Sequence, residues 1–311
     1  MLHRLPFRAM GSEMLAILEQ DSESAPPILK EIPNWFEEWE EIFSRFRLSS
    51  ELSLVNRTFD QPIEVSEAFW DVFQSAQWAY GFSNGLVSPT ILDAIIDTGY
   101  DRPFDEMDSI QYGRAGTVLF KNHSFSMIIA DSATHTITLP QGVRLDFGGI
   151  AKGWAAHQTV ERLQEYGPCL MNAGGDIAIS DPQMDGARWP IGVSNPFESE
   201  TDIEVLRLKR CGVASSGRDR RYWNQNGVFR HHIINPFTGL PAETDLLRVT
   251  VIAPTVIEAE VAAKTAFIMG LEKGLEWIES QPSFESVMIL DNGELIHSTG
   301  MHEYLQGVRY E

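Results

Sequence analysis

The chain has 311 residues, of which 43% are hydrophobic, and a formal net charge of −20. That length supports one large core or two smaller ones. No apolar run reaches the length of a membrane span, and so negative a chain has no general affinity for nucleic acid or anionic lipid. The two cysteines, Cys169 and Cys211, lack metal-ligand spacing. Each flanks an apolar, strand-like segment, so they read as buried thiols and not as a disulfide or a nucleophile.

In chain order, residues 7–18 read as a first strand entered through a kink at Met10-Gly11, and 19–27 as an acidic, proline-bearing loop. From 28 to 46 the apolar residues Ile32, Trp35, Phe36, Trp39, Ile42, Phe43 and Phe46 recur at three- and four-residue steps, which predicts an amphipathic helix. Its aromatic stripe is expected in the core. Ser49-Ser50-Glu51 caps a short turn. A second helix is predicted over 66–82 with Ser66 as its N-cap, followed by a turn at 85–90.

Residues 99–120 are polar and irregular, with a Gly/Arg-rich patch at 112–116. Short strands are predicted at 126–129, 135–139 and 143–146. The last runs into L-D-F-G-G-I-A-K-G-W-A-A-H-Q-T-V-E-R-L-Q-E (145–165), a glycine turn opening a helix. A helix start offers bare N–H groups and a positive dipole end, which suit a phosphate, and Lys152 adds a full charge there. Strands are predicted again at 169–171, 189–193, 204–208, 212–215, 229–234 and 249–253, with a turn at 172–176 where backbone can approach a ligand closely. The cluster Arg218–Arg221 reads as a solvated hairpin or a rim for an acidic partner. Thr255 with Glu258 forms a capping box that starts a helix in the stretch 255–270.

Early helices, many later strands and no strand–helix alternation predict an α+β fold with a mainly antiparallel sheet flanked by helices. With no repeat and no linker, residues 1–311 read as a single domain, either one compact body or two lobes with the site between them. The N-terminus has basic residues but no hydrophobic leader core, so a soluble, cytoplasmic protein is expected.

Seven stretches stand together in one order: F-R-A-M-G-S-E-M (7–14), S-E-L-S-L-V-N (50–56), G-L-V-S-P-T (85–90), residues 145–154, M-N-A-G-G-D-I (171–177), A-S-S-G (214–217) and H-H-I-I-N-P-F-T-G (231–239). In that register they resemble the ApbE family, the FAD:protein FMN transferases, from residue 7 to about residue 270. The resemblance implies an ApbE-like, T-fold-like architecture and transfer of FMN from FAD to a threonine or serine hydroxyl of a target protein, with release of AMP. By position it implies that Asp146 and Lys152 contact the nucleotide, and that Leu86, Val87 and Ser88 line the flavin pocket. The family has phenylalanine and aspartate where this chain has Val87 and Ser88. The turn residues Asn172, Gly174 and Gly175 approach the ligand, and Met10 and Ile233 lie toward the adenine.

His232 is the candidate general base, since histidine titrates near working pH; on a strand His231 would face the other way. For Mg²⁺, the family pattern implies the Gly149 carbonyl, Thr265, and an aspartate four residues before that threonine. Position 261 is a valine. Glu260 is one residue off, about 100° around the helix, and is expected to face away from the ligand. Lys264 leans toward position 261, and its ammonium is expected where the metal would otherwise stand. Two other activities stay open at this level: an FAD-binding or storage protein with a degenerate metal site, and an FAD pyrophosphatase giving FMN and AMP.

Overall fold

The structure, a computed structural model, describes residues 1–107, 110–111, 124–198 and 200–305; the patch at 112–116 lies outside them. Its centre is an eight-stranded sheet: β1 (Leu2–Ala9), β2 (Ser12–Glu19), β3 (Cys169–Ala173), β4 (Asp176–Ile179), β5 (Cys211–Gly217), β6 (Leu246–Ala253), β7 (Glu285–Leu290) and β8 (Leu295–His297). Their spatial order is their order in the chain, and every pairing is antiparallel. Long insertions between β2 and β3, β4 and β5, β5 and β6, and β6 and β7 carry nearly all the remaining elements.

The expected single strand over 7–18 is a hairpin. Met10 and Gly11 both take positive φ (47° and 63°), as a two-residue turn that follows strand twist requires, so the predicted kink reverses the chain. In β2, Met14, Ala16 and Leu18 are buried at alternate positions, the period of a strand with one face in the core. β6 instead has seven of its eight residues buried, because it lies between β5 and β7 under cover on both faces.

One face of the sheet packs against helices. In α1 (Ile32–Phe43) the residues Ile32, Phe36, Trp39 and Phe43 are buried, and Trp39 and Phe43 meet Trp154 edge-on at 5.3 Å each. Most of the stripe is core or packs against it, as the spacing predicts, although the first turn at Pro27–Glu31 is 3₁₀ and Phe46, expected within the helix, lies beyond its end and is exposed. In α2 (Glu67–Phe82) the Ser66 hydroxyl accepts from the Phe69 N–H. α3 (Ala151–Leu163) and α4 (Val256–Met269) lie against each other and the sheet, α4 opening with both bonds of the Thr255/Glu258 capping box. α5 (Leu271–Glu279) follows directly. The opposite face is covered by the hairpin Trp189–Ser194/Asp202–Leu208, where Trp189, Ile191, Leu206 and Leu208 pack on Ile177, Ile179 and Val213.

Three predicted strands differ: residues 229–234 are broken at His232 and Ile233, between the strands Val228–His231 and Ile234–Asn235. Residues 126–129 hold a 3₁₀ turn (Phe125–Met127) before a short strand (Ile129–Asp131). Residues 143–146 are an extended segment outside any sheet. Its backbone is satisfied by a side chain: Asn56 donates to the Leu145 carbonyl at 2.7 Å and accepts from its N–H at 2.6 Å. That is how the S-E-L-S-L-V-N stretch holds the glycine turn in place. Both cysteines are free thiols; burial raises Cys169 to about 11 and Cys211 to about 12, so neither is a nucleophile at neutral pH.

Candidate active site

One cavity of about 440 Å³ gathers loops and element ends from most of the chain, a size suited to a small-molecule ligand. Its wall takes Met10 and Gly11 from the first hairpin turn, Leu86, Val87 and Ser88 from the turn after α2, Asp146 to Lys152 from the start of α3, Arg221, His232 to Ile234, and Lys264. Of the residues singled out in the sequence, Met10, Leu86, Val87, Ser88, Asp146, Gly149, Lys152, His232, Ile233 and Lys264 line it.

Four others stand outside the lining. Thr265 is fully buried in α4, and its hydroxyl donates to the Val261 carbonyl at 2.8 Å. Asn172, Gly174 and Gly175 form the tight turn between β3 and β4: both glycines take positive φ, and the Asn172 side chain accepts from the Gly175 N–H at 2.8 Å. A Cβ on Gly174 would lie 2.7 Å from the Ser12 Cβ, so this turn is pressed against the first hairpin. Ser88 spends its hydroxyl locally, accepting from the Thr90 N–H and bonding the Thr90 hydroxyl.

At the start of α3 the glycines have a packing reason. α3 has no side-chain N-cap, and the Gly153 N–H donates at 3.1 Å to the carboxylate of Glu260, which reaches over from α4. A Cβ on Gly153 would sit 2.5 Å from that carboxylate oxygen. Glu260 therefore does not turn away from the site as its position along the helix suggests. It is almost fully buried, its Oε1 lies 3.0 Å from the Lys264 Nζ, and Lys152 Nζ comes within 3.9 Å of the same oxygen. Lys152 also pairs with Asp176 at the start of β4.

This four-member cluster is electrostatically coupled. Burial works against the Lys152 charge, but Asp176 and Glu260 outweigh it and leave the ammonium above its usual value. Burial works against Glu260 too, and Lys264 and Lys152 overcome it, holding the carboxyl below 4.5. Asp176 is raised, by burial first and by Glu260 next, more than the lysines restore. The cluster is thus close to neutral as a whole, two cations against two carboxylates.

Asp146 is occupied as well. Its Oδ1 accepts from the Gly148 N–H at 2.9 Å, and its Oδ2 lies 3.1 Å from Arg45 Nε. Arg45 is clamped between Phe46 and Tyr100, 4.3 and 4.5 Å from the ring centres. Arg221 differs from these cations. It lines the cavity and donates to neutral groups, the Gly11 carbonyl at 3.2 Å and the Ser12 hydroxyl at 2.9 Å, and among the described residues no carboxylate pairs with it. The Arg218–Arg221 stretch is therefore not a solvated hairpin: Asp219 forms a buried pair with Arg248 and Arg221 is part of the site.

The two histidines separate, although not by strand alternation: the strand Val228–His231 ends at His231, and His232 stands in the bend after it. His231 is buried, its Nε2 donating to the Ala242 carbonyl at 3.1 Å and its ring edge-on to Phe267. His232 lines the cavity, and its Nδ1 lies 3.3 Å from the Arg221 carbonyl. A carbonyl can only accept, so Nδ1 carries the proton and Nε2 the lone pair. Burial, then the charge of Arg221, hold His232 well below 6.5, so the ring is neutral at pH 7.

The ApbE family model matches residues 10–288. The chain belongs to the ApbE family. Among its relatives are the FAD:protein FMN transferases of Treponema pallidum, 27% identical over 88% of this chain and 80% of that one, and of Haemophilus influenzae, 29% identical over 84% and 78%. The ApbE protein of Thermotoga maritima superposes with a TM-score of 0.87 over 99% of this chain and 100% of that one at 23% identity. The flavin transferase ApbE of Vibrio cholerae superposes with 0.79 over 98% and 99% at 24%. The α+β ApbE architecture is thereby shown.

An ApbE protein raises the matter of magnesium, which demands octahedral oxygen ligation and commonly at least one carboxylate. Around the Gly149 carbonyl this chain does not supply it. Position 261 is a valine packed in the core, Thr265 is fully buried outside the cavity lining, and the Glu260 carboxylate is taken by Gly153 and the lysines. Among the described residues no group of three acidic, histidine or cysteine side chains is arranged to hold a metal. The donor set does not fit the ion. Sequence reasoning gave no role to Arg45 and Arg221, which line the cavity, or to Asp176 and Glu260, which hold its lysines; all four stood in segments already marked, and Glu260 was expected to face away.

Proposed function

We propose that this chain is an FAD:protein FMN transferase, moving FMN from FAD to a threonine or serine hydroxyl of a target protein. Residues 1–311 act in it as one unit, since the cavity draws residues from Met10 to Ile268. The observation that carries the reading is the convergence of a neutral histidine, His232, with the cations Lys152, Arg221 and Lys264 on a cavity that also has an apolar stretch at Leu86 and Val87.

The flavin ring rests on the apolar part, against Leu86 and Val87, and the pyrophosphate lies toward Lys152, Lys264 and Arg221. The acceptor hydroxyl oxygen forms a bond to the FMN-side phosphorus and the bridging P–O bond breaks. AMP leaves with the electron pair, and the hydroxyl proton goes to His232 Nε2. The Arg221 backbone fixes the tautomer that makes Nε2 the acceptor, while its guanidinium meets the charge that develops on the phosphates.

The test is incubation with FAD and a threonine-bearing acceptor peptide, followed by gel fluorescence for covalent flavin and chromatography for nucleotides. A fluorescent peptide with stoichiometric AMP is the expected result. Free FMN with AMP and no adduct would make the chain a pyrophosphatase, and bound, unconverted FAD would make it a storage protein; either overturns the transferase reading.

A further inference from the structure

The seat beside the Gly149 carbonyl, where the donor set fails a divalent ion, is filled by a cation of the chain itself. Lys264 Nζ lies 3.2 Å from the Gly149 oxygen and 3.0 Å from Glu260 Oε1. Two of its three N–H groups are satisfied there, and Lys264 lines the cavity in which the phosphates are placed. We propose that the Lys264 ammonium, anchored by Glu260, is the phosphate-facing cation of this site in place of a divalent metal, so that the chain binds its dinucleotide without one. The inference rests on reading the cavity as an FAD site.

Three further observations support it. Gly149 leaves room for the lysine stem: a Cβ there would come 3.2 Å from Lys264 Cε. The anchor is itself fixed from the other side, Glu260 Oε2 accepting from the Gly153 N–H, so the ammonium cannot swing away without stranding a buried carboxylate. A divalent ion entering the seat would also meet two ammonium groups that already converge on one Glu260 oxygen, at 3.0 and 3.9 Å, a repulsion strong at such short range. With Lys152 and Lys264 balanced by Asp176 and Glu260, Arg221 supplies the excess positive charge.

Two measurements decide it. Flavin-free protein titrated with Mn²⁺ and followed by the paramagnetic resonance of the free ion should leave that signal undiminished. The variant Lys264→Ala, which empties the seat and leaves the Glu260 carboxylate beside the Gly149 carbonyl, should take up the ion stoichiometrically. Stoichiometric Mn²⁺ uptake by the wild type would overturn the proposal, and needs no variant to fold. FAD titrated in chelator and in Mg²⁺ should bind the wild type with constants within about threefold of each other, whereas Lys264→Met should weaken binding about tenfold or more in both. A wild type that loses FAD in chelator, or a Lys264→Met protein that melts normally and binds FAD unchanged, would also overturn it. Absence of FAD binding under every condition would instead remove the flavin reading, while the Mn²⁺ titration would still report on the seat.

Discussion

Two buried ion clusters stand at different places in this molecule, and they are built differently. Arg248 and Asp219 form a closed pair: both side chains are almost wholly buried, and Arg248 Nη1 donates to the Ser194 carbonyl at 3.1 Å. Lys152, Asp176, Glu260 and Lys264 form an open one, with both ammonium groups on the cavity wall. Arginine suits the closed pair because its planar fork matches a carboxylate and saturates it. Lysine suits the open one because a compact charge with three donors can serve a protein carbonyl, a carboxylate and a ligand oxygen together. Burial alone does not mark a functional charge; unspent donors facing a cavity do. The neighbouring histidines repeat the contrast within two residues, His231 with its ring committed to Ala242 and Phe267, His232 in the bend that follows with a lone pair on a ring that lines the cavity.

The contrast can be tested first at the histidines. His232→Ala removes the proton acceptor and should lower FMN transfer by about 10²- to 10⁴-fold while leaving FAD affinity and melting temperature near those of the wild type. A variant that retained full transfer would place the base elsewhere. At the closed pair the effect should be on stability alone. Asp219→Ala leaves Arg248 buried without a partner, with Arg220 close enough for the two like charges to disfavour each other. The cost should be about 3–5 kcal/mol in chemical denaturation, with FAD affinity unchanged in the fraction that remains folded. A loss of FAD affinity in that fraction would blur the distinction drawn here.

His231 sharpens it further through pH. Burial, only partly offset by the Ala242 hydrogen bond and assisted by the Arg218 charge, lowers this imidazole from 6.5 to about 4. Between those values the unfolded chain binds a proton that the folded chain refuses, so stability rises with pH across the window and is lost as pH falls from 6.5 toward 4. The integrated loss is about 3 kcal/mol. His231→Gln, which keeps a donor for Ala242 but cannot titrate, should flatten that part of the urea-midpoint profile. His232 contributes a slope of the same sign that the variant retains, so the profile should flatten without becoming level.

How much of this was legible in the sequence follows from the range of each interaction. Ser66, Thr255 and Glu258 act within one helical turn, so their caps could be read from the letters alone. The buried part of the α1 stripe follows from periodicity. The Met10-Gly11 reversal was hidden because a methionine with positive φ is not a turn signal; only packing of the hairpin against the turn at Gly174 over-determines it. Glu260 was misread for a related reason. Its angle about α4 was correct, but the sequence does not say that α3 begins there with a glycine that lets the carboxylate reach a backbone N–H. Lys264 was legible as an intruder because it stands one turn from a missing carboxylate; its partner was not, because the partner is set by how two helices cross.

The smallest expected effect lies far from both clusters, at the α2 cap. The Ser66 hydroxyl accepts from the Phe69 N–H at 3.2 Å and donates to Glu51, whose carboxylate also holds the Ser66 N–H. Ser66→Ala should cost about 1 kcal/mol, read as a shift of the denaturation midpoint with unchanged slope, and should leave FAD binding and the pH profile as they are. Because α2 ends at the turn that presents Leu86 and Val87 to the cavity, an effect on flavin affinity larger than that on stability would show that the cap also positions the pocket. A purely global loss would instead keep the α2 cap with the closed pair, as structure that the site does not use.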